Sequence, residues 1–333
     1  MPHVPVLLNE ILEHFDPKPG QKFIDATIDG GGHARAIAER IEPDGRLLGI
    51  EWDGELFDNL RKEIQNTKFK NIIKLINDSY VNLKKNAEEN DFMEADGVLF
   101  DLGMSSWHPE VSGRGFSFQR DEDLDMRYHA GKFPISPDSQ SESRILDFAS
   151  QNRDNFQFPN KTAKEIVNKY SYDHLVEILK EYGEERFAKS IAANIVRARK
   201  TKLIETTFEL VEIIKNSVPF WYKRGRLHCA TKTFQALRIS VNNELANIET
   251  GLEQSLEVLK SGGRLAVISF HSLEDRIVKN FFRNKKQEKI IEIINKKPIT
   301  ANPIEIRENP RARSAKLRIV QKIVFKSKYR DEK

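Results

Sequence analysis

The sequence predicts an α/β fold in which a mostly parallel sheet is interrupted by an inserted helical domain. Short apolar runs alternate with helical stretches over the first hundred residues, segments with helical spacing and no strands follow, and an apolar run returns at residues 264–270. At 333 residues the chain is long enough for about two domains with sizeable cores. We therefore expect a discontinuous sheet domain, residues 1–110 with 217–333, and a helical insertion, residues 111–216.

Four short apolar runs form the first part of the predicted sheet. Because helical stretches separate them, they indicate parallel strands built from βαβ units. Ligands of such sheets bind at the carboxyl ends of the strands, so we expect residues 25–33, Glu51, Tyr80 and Asp101 to meet at one site. The four runs are residues 23–26, 46–51, 72–77 and 97–102.

The strand pattern stops after Asp101. A long loop with the segment R-G-F-S-F, residues 114–118, precedes segments whose apolar residues recur at helical spacing, the first from Tyr172 to Tyr182. These stripes predict a packed helical core rather than a binding surface. Two further helices after Cys229 lead into the fifth strand, which returns the chain to the sheet.

The segment F-I-D-A-T-I-D-G-G-G-H, residues 23–33, predicts a nucleotide-ligand site. Glycines allow close approach and positive φ, the next helix offers unpaired N–H groups, and Glu51 can accept the hydrogen bonds of a ribose diol. Arg35 stands where a dinucleotide fingerprint needs its third glycine, and no Gly-Lys-Ser/Thr follows, which weakens a nicotinamide interpretation and excludes a P-loop. An adenosine ligand without phosphate remains, of which S-adenosylmethionine is the commonest case. The glycines alone would also fit a surface turn.

The composition excludes several classes of protein. The single cysteine, Cys229, excludes a disulfide framework and a C-x-x-C metal knuckle, and it indicates a reducing cytoplasm. No apolar stretch approaches 18 residues and the start lacks an export signal, so we expect no membrane partner. We also expect no metal, because five histidines show no ligand spacing; they are His3, His14, His129, His174 and His228.

Positive charge is concentrated in a few segments, although the net charge is only +4. Residues 311–330 hold eight Lys or Arg and no Asp or Glu, and a smaller basic cluster lies at residues 223–226. Such patches suit a phosphate backbone, whereas solvated surface charge is the usual meaning of a single cluster. We expect part of the acid-free tail, with Arg311 and Arg313 ahead of a strand, to line the path of such a backbone.

Nine short motifs follow one another along almost the whole chain, and together they closely resemble the bacterial MraW/RsmH family. Ordered blocks of this kind are far more specific than any glycine motif. The motifs are H-V-P-V-L-L-N-E (3–10), G-G-G-H (30–33), D-G-V-L-F-D-L-G-M-S-S (96–106), R-G-F-S-F (114–118), L-D-M-R (124–127), Y-G-E-E-R-F-A (182–188), T-K-T-F-Q-A-L-R (231–238), S-F-H-S-L-E-D-R-I-V-K (269–279) and N-P-R-A-R-S (309–314).

The resemblance implies a Rossmann-like, class I S-adenosylmethionine-dependent methyltransferase acting on the exocyclic N4 of a cytidine in the decoding region of 16S rRNA. Its partner would be 16S rRNA or the small ribosomal subunit, recognised with the inserted domain. A homodimer is compatible with the sequence, which does not decide the oligomeric state. Carried over position by position, the implied cofactor contacts are Gly31, Gly32, His33, Glu51, Tyr80, Asp101 and His108.

The chain departs from the family pattern at several positions in or near this set. Glu51 stands for the usual Asp and Tyr80 for the usual Phe, and both preserve the chemistry. His108 replaces the usual Gln and introduces a side chain that can be protonated near neutral pH, and Asp29 replaces a usual glycine. These last two keep open a ribosome-assembly protein that has lost catalysis. A nicotinamide oxidoreductase is the other alternative.

Two side chains are candidates for the reacting centre. Asp101 follows the fourth strand, where it can bind the amino-acid end of the cofactor, accept a hydrogen bond from the reacting amine, or cap a helix. His271 follows the fifth strand, where a substrate-site role competes with a structural one, since Ser272 and Asp275 can cap the next helix. The two phenylalanines of R-G-F-S-F can stack a flipped base or be buried.

Overall fold

The computed structural model describes residues 5–129 and 161–323 and forms two compact units. The sheet unit comprises Met1–His108 and Asn243–Lys333, and the helical unit comprises Pro109–Asn242. Buried apolar side chains form a core in each unit. The chain therefore leaves the sheet unit once and returns to it once.

The helical unit continues well past residue 216, where the sequence predicts the insertion to end. Its final residue, Asn242, donates a side-chain hydrogen bond of 2.7 Å to the Met126 carbonyl and accepts one of 2.8 Å from the Tyr128 N–H. These buried bonds tie the end of the last helix to the loop that opens the unit. Packing, which the local pattern does not reveal, places that helix in the helical unit, so the two compact units divide at different residues from the predicted domains.

Within the described residues, seven strands form one sheet: β1 Lys22–Asp25, β2 Arg46–Glu51, β3 Ile73–Asn77, β4 Ala95–Asp101, β5 Leu259–Ser269, β6 Ile291–Ile293 and β7 Lys316–Lys322. Their order is β3-β2-β1-β4-β5-β7-β6. The first five strands are parallel, and β7 pairs antiparallel with both β5 and β6. The predicted α/β class with a mostly parallel sheet is confirmed.

The strand order reverses between β1 and β4. From β1 the chain builds outward through β2 and β3 on one side, and through β4 and β5 on the other. A crevice opens outside the carboxyl ends of the strands at such a switch point, and ligands bind there. Asp25 ends β1 opposite Leu99, and β4 continues two residues further to Asp101.

Helices cover both faces of the sheet. Side chains alternate along the strands, so Phe23 and Leu47 join one apolar cluster while Ile24 and Leu48 join the other. The helices, in chain order, are α1 Leu8–Phe15, α2 Gly32–Ile41, α3 Gly54–Gln65, α4 Leu83–Glu89, α5 Trp107–Glu110, α6 Ala163–Lys169, α7 Tyr172–Glu181, α8 Ala188–Ala198, α9 Thr207–Ser217, α10 Phe220–Lys223, α11 Thr231–Asn242, α12 Glu244–Val258, α13 Ser272–Gln287 and α14 Pro303–Glu308. The first cluster includes residues of α1, α2 and α3, and the second includes residues of α4, α12 and α13.

The helical unit buries the stripes that the sequence predicts as core. Leu175 and Leu179 of α7 and Ile191 and Ile195 of α8 are buried, whereas Tyr172 at the start of α7 is 38% exposed. In the part of the chain that the structure describes, no helix combines the length and apolar character needed to span a bilayer.

Candidate active site

The glycine turn joins β1 to α2 at the switch point of the sheet. Gly31 precedes α2 with φ +71°, a left-handed conformation that favours glycine. A Cβ atom on Gly32 would lie 3.0 Å from Pro5 Cδ, so these segments approach closely. Asp29 also takes a positive φ, +46°, where the resembled family usually has glycine. The turn thus presents the unpaired N–H groups of α2 to the crevice.

Glu51 ends β2 and is only 6% exposed. Its Oε1 accepts a 2.8 Å hydrogen bond from the Asp53 N–H, and the Asp29 N–H also donates to this carboxylate. Burial is the main cause that raises the pKa of Glu51 to about 8. Two backbone donors therefore orient the Glu51 carboxylate, and its contact with a ribose diol stays a prediction.

Asp53 connects Glu51 with His108. Its Oδ1 caps α3 by accepting hydrogen bonds from the N–H groups of Glu55 and Leu56. Its other oxygen, Oδ2, lies 3.3 Å from Nε2 of His108, which is 3% exposed. His108 therefore reaches the Glu51 carboxylate through Asp53, and its direct contact with a cofactor stays a prediction. Nothing in the sequence singled out Asp53 as this link.

Asp101 lies at the end of β4 beside the glycine turn. Its N–H donates a 2.6 Å hydrogen bond to the Thr27 hydroxyl, and its Oδ2 lies 3.6 Å from Nδ1 of His33. Nε2 of His33 lies 2.9 Å from the Val6 carbonyl, which only accepts, so that nitrogen carries the proton. Among the described residues, the buried Oδ1 of Asp101 has no hydrogen-bond partner. That oxygen is available to a ligand.

Carboxylates crowd this edge of the sheet. Burial raises the pKa of Asp25 to about 7, and burial followed by the charges of Asp25 and Glu274 raises the pKa of Asp101 well above its usual range. The pKa of Asp29 is also raised, mainly by burial and then by the neighbouring acids, while Arg311 opposes the rise. A cationic ligand would relieve this repulsion.

S-adenosylmethionine, which the resemblance implies, fits this set of residues. The cofactor carries a sulfonium and an ammonium, and the unpartnered carboxylate oxygen of Asp101 can bind such a cation. The carboxylate of Glu51, already oriented by the backbone, can bind the ribose. A nicotinamide dinucleotide would instead bring a pyrophosphate beside Asp25, Asp29 and Asp101, where like charges repel.

Tyr80 begins the short 3-10 helix after β3. Its ring meets the Phe100 ring edge to face, with centroids 5.6 Å apart. A Cβ atom on Gly251 would lie 2.8 Å from Cδ2 of Tyr80, so only glycine leaves room for this ring. Burial, then the charges of Glu244 and Glu274, raise the pKa of the Tyr80 hydroxyl. The predicted contact with the cofactor stays a prediction.

His271, rather than Ser272, caps α13. Its Nδ1 accepts a 3.4 Å hydrogen bond from the Glu274 N–H, and Glu274 Oε2 accepts 2.7 and 3.2 Å bonds from the N–H groups of Phe270 and His271. Because Nδ1 accepts, Nε2 carries the proton, and it lies 3.0 Å from Glu274 Oε1. The structural role foreseen for His271 is therefore present, and its substrate-site role stays a prediction.

Glu244, His271 and Glu274 together could hold a metal ion, since one ligand atom from each lies within 4.8 Å of the others. The sequence does not reveal this group because Glu244 belongs to α12 and the other two begin α13. The absence of a metal, expected from the spacing of other histidines, stays a prediction. The charge of Glu274 also raises the pKa of Asp101, so the cluster of Glu244, His271 and Glu274 affects the electrostatics of this site.

The two phenylalanines of R-G-F-S-F have different surroundings. Phe116 is 6% exposed and stacks on Tyr128, with ring centroids 5.5 Å apart. Phe118 stacks on His228 at 4.6 Å and meets Phe234 edge to face. Burial, one of the two roles considered from the sequence, describes Phe116, whereas Phe118 is half-buried and its stacking on a flipped base stays a prediction.

Two of the five described cations of the basic tail pair with a helix of the sheet unit. On β7, Arg318 Nε lies 2.7 Å and Lys316 Nζ 3.2 Å from the carboxylate of Asp275, which the sequence had suggested as a helix cap. These two cations therefore fasten β7 to α13. Arg311 and Arg313 are exposed on the 3-10 helix Pro310–Ser314 ahead of β7, and the residues after 323 lie outside the described part of the chain.

Proteins similar to this one match almost the whole chain. It is 44% identical over 321 residues to ribosomal RNA small subunit methyltransferase H of Persephonella marina, covering 96% of this chain and 99% of that protein. It is 43% identical over 323 residues to the protein of that name from Fervidobacterium nodosum, covering 96% and 97%. A third, from Geotalea daltonii, is 40% identical over 336 residues, with 96% and 98% covered.

The sheet order, the antiparallel β7 and the acid-lined glycine turn define a methyltransferase of the class I, Rossmann-like type that uses S-adenosylmethionine. The particular family follows from the match of its model to residues 1–133 and 154–323: the chain belongs to the MraW methylase family. The resemblance and the cofactor predicted from the motifs are confirmed.

Proposed function

We propose that this protein transfers a methyl group from S-adenosylmethionine to the exocyclic N4 of a cytidine in the decoding region of 16S rRNA. The observation that carries the proposal is the match to the MraW methylase family and to small-subunit rRNA methyltransferases along almost the entire chain. The acid-lined crevice supports it, because it suits a cationic cofactor. We expect the reaction in the cytoplasm and the helical unit to take part in substrate recognition.

Alignment supplies most of the catalysis in this proposal. The lone pair of N4 is delocalised into the cytosine ring, so it must be held in line with the methyl carbon of the sulfonium that the bound cofactor supplies. Orientation contributes about 7 to 11 kcal/mol, whereas a positioned base contributes about 3 to 5 kcal/mol. The bound cofactor would supply the methyl group and its sulfur would keep the C–S electron pair, while the carboxylate of Asp101 would take the proton that N4 loses.

Asp101 is the residue that we assign to the reacting centre. It ends β4 at the switch point, and its buried Oδ1 can accept a hydrogen bond from the cofactor ammonium or from the reacting amine. His33 faces the other oxygen and is itself fixed by the Val6 carbonyl, so it positions Asp101 rather than touching substrate. We assign Glu51 to the ribose, with Gly31 and Gly32 shaping the turn.

Mass mapping of 16S rRNA from cells that lack the gene tests the proposal. Complementation with the wild-type gene should restore a methyl group on N4 of one decoding-region cytidine, and complementation with Asp101→Asn should not. A methyl group on another nucleotide would retain a methyltransferase and reject the N4 target. A subunit-assembly defect that both genes repair equally, without any change in methylation, would favour the non-catalytic alternative. Assays on free rRNA and on assembled subunits identify the substrate.

A further inference from the structure

An exposed aromatic and cationic surface lies on the helical unit at α10 and the turn after it. Phe220 is 64% and Trp221 58% exposed, although large aromatic side chains gain about 2 kcal/mol or more from burial. Lys223, Arg224 and Arg226, which follow directly, are exposed as well. We call these five residues the α10 surface.

The short helix α10 is held in place through Tyr222 and Trp221. Tyr222, between the rings and the cations, donates a 3.0 Å hydrogen bond from its hydroxyl to the carboxylate of the buried Glu185. The Phe187 ring meets the rings of Tyr222 and Trp221, with centroids 4.8 and 5.8 Å apart. Anchored in this way, α10 presents Phe220 and Trp221 without the entropy cost of ordering a free loop on binding.

Cations accompany both rings. The guanidinium of Arg224 lies 4.3 Å from the centroid of Phe220, and that of Arg186 lies 5.4 Å from the centroid of Trp221. The sequence between residues 213 and 243 contains six Lys or Arg and no Asp or Glu. Aromatic rings among cations in an acid-free segment are the combination with which proteins bind unpaired nucleic acid, through base stacking and phosphate contacts.

We infer that the α10 surface binds an unpaired stretch of the rRNA substrate, with bases on Phe220 and Trp221 and phosphates against Lys223, Arg224 and Arg226. This inference rests on the proposed function and adds the place where the substrate strand is held. The charge favours RNA over a second copy of the chain, because two such surfaces would bring like charges together. It also favours RNA over an apolar partner, since three of the five side chains are cations.

The first experiment measures the dissociation constant of the full-length protein for a single-stranded RNA with the decoding-region sequence. Phe220→Ala and Trp221→Ala should each weaken binding about 5- to 150-fold, the usual effect of losing one stacked base. Trp221→Phe should restore most of the loss, because it keeps a ring. The matched control is Phe208→Ala on α9, an aromatic residue of the same unit that is 45% exposed and should not matter.

The second experiment replaces charge instead of stacking. Lys223→Gln with Arg226→Gln should lower the slope of log affinity against log salt by about 1.4, since each phosphate contact on a single strand contributes about 0.7. Affinity for S-adenosylmethionine should stay unchanged in every variant. Wild-type RNA affinity in the two alanine variants, with unchanged thermal unfolding, would overturn the inference.

The remaining outcomes distinguish a failure of the RNA-binding inference from a failure of the proposed function. If Trp221→Ala dissolves a dimer seen by sedimentation and leaves RNA affinity intact, the surface joins two copies and the RNA inference is wrong. If the alanine variants lose RNA affinity while the wild type methylates no cytidine N4, the proposed function fails and the stacking surface stands. If methylation is normal in the alanine variants at low RNA concentration, the inference fails and the proposed function stands.

Discussion

The carboxyl edge of the sheet unit and the α10 surface of the helical unit use charge in opposite ways. The first buries carboxylates around a glycine turn, with raised pKa values for Asp25, Asp29 and Asp101. The second exposes cations beside two aromatic rings. A net charge of +4 conceals this separation. Buried charges are weakly screened, so salt should affect RNA binding far more than cofactor binding.

Asp101→Asn should have the largest effect on the acidic edge. The substitution keeps the shape and removes the charge, so turnover on rRNA at saturating cofactor should fall about 10²- to 10⁴-fold. Asp91→Asn is the control, because Asp91 is exposed and pairs with Arg46 on the surface of the same unit. Single-turnover kinetics give the comparison. Wild-type turnover in Asp101→Asn would remove both its electrostatic and its proton-accepting role.

Glu51→Ala should weaken S-adenosylmethionine binding by one to two decades. A hydrogen bond to a charged group contributes about 1.5 to 3 kcal/mol, and the backbone donors of Asp29 and Asp53 would lose their acceptor too. Isothermal titration measures the dissociation constant. The exposed Glu39→Ala serves as the control. An unchanged constant for Glu51→Ala would exclude the ribose assignment.

Stability without cofactor should fall as pH rises from about 5 to 8. The folded pKa values of Asp25 and Glu51, about 7 and about 8, exceed the values of unfolded carboxyls, so the native state binds more protons. In this pH window, each of the two groups lowers the free energy of unfolding by up to about 1.4 kcal/mol per pH unit. Urea unfolding at several pH values should show a shallower slope for Glu51→Gln. A slope identical to that of the wild type would contradict the raised pKa of Glu51.

The smallest effect is expected from the arginines ahead of β7. The sequence treats Arg311 and Arg313 alike, but the charge of Arg311 lowers the pKa of Asp29 and ties this arginine to the acidic edge. Arg313→Gln should therefore lower the RNA salt slope by about 0.7 to 0.9 with cofactor affinity unchanged. Arg318→Gln is the contrast, since losing its pair with Asp275 should destabilise the fold. An unaltered slope in Arg313→Gln would mean that this arginine is only solvated.

The sequence predicts the centre of the sheet well, because strands that are buried there consist of short continuous runs of apolar residues. The five parallel strands appear as apolar runs, and Glu51 and Asp101 each end a strand at the carboxyl edge of the sheet. The fifth strand begins earlier than predicted, at Leu259. Its first residues, K-S-G-G, look like a turn, and pairing of Leu259 with Ala95 extends the strand across a bulge.

Features that depend on contacts between distant segments are not visible in the sequence. Glu244 and His271 approach each other because α12 and α13 pack on one face of the sheet. The capping of α13 by His271 instead of Ser272 depends on the backbone at the end of β5. The helical unit ends at Asn242, whose buried side-chain amide hydrogen-bonds to the backbone of Met126 and Tyr128, and the periodicity of apolar residues does not reveal these bonds.

The insertion lies between β4 and β5, and this placement determines the order in which the segments of the protein are made and can fold during synthesis. A ribosome adding about 5 to 20 residues per second needs roughly 8 to 31 s to make residues 102–258, the segment between them. During that interval β4 has its β1 neighbour but not β5, so one edge of the growing sheet stays open. The helical unit can finish folding first, whereas the β4 edge stays open to aggregation until synthesis supplies β5.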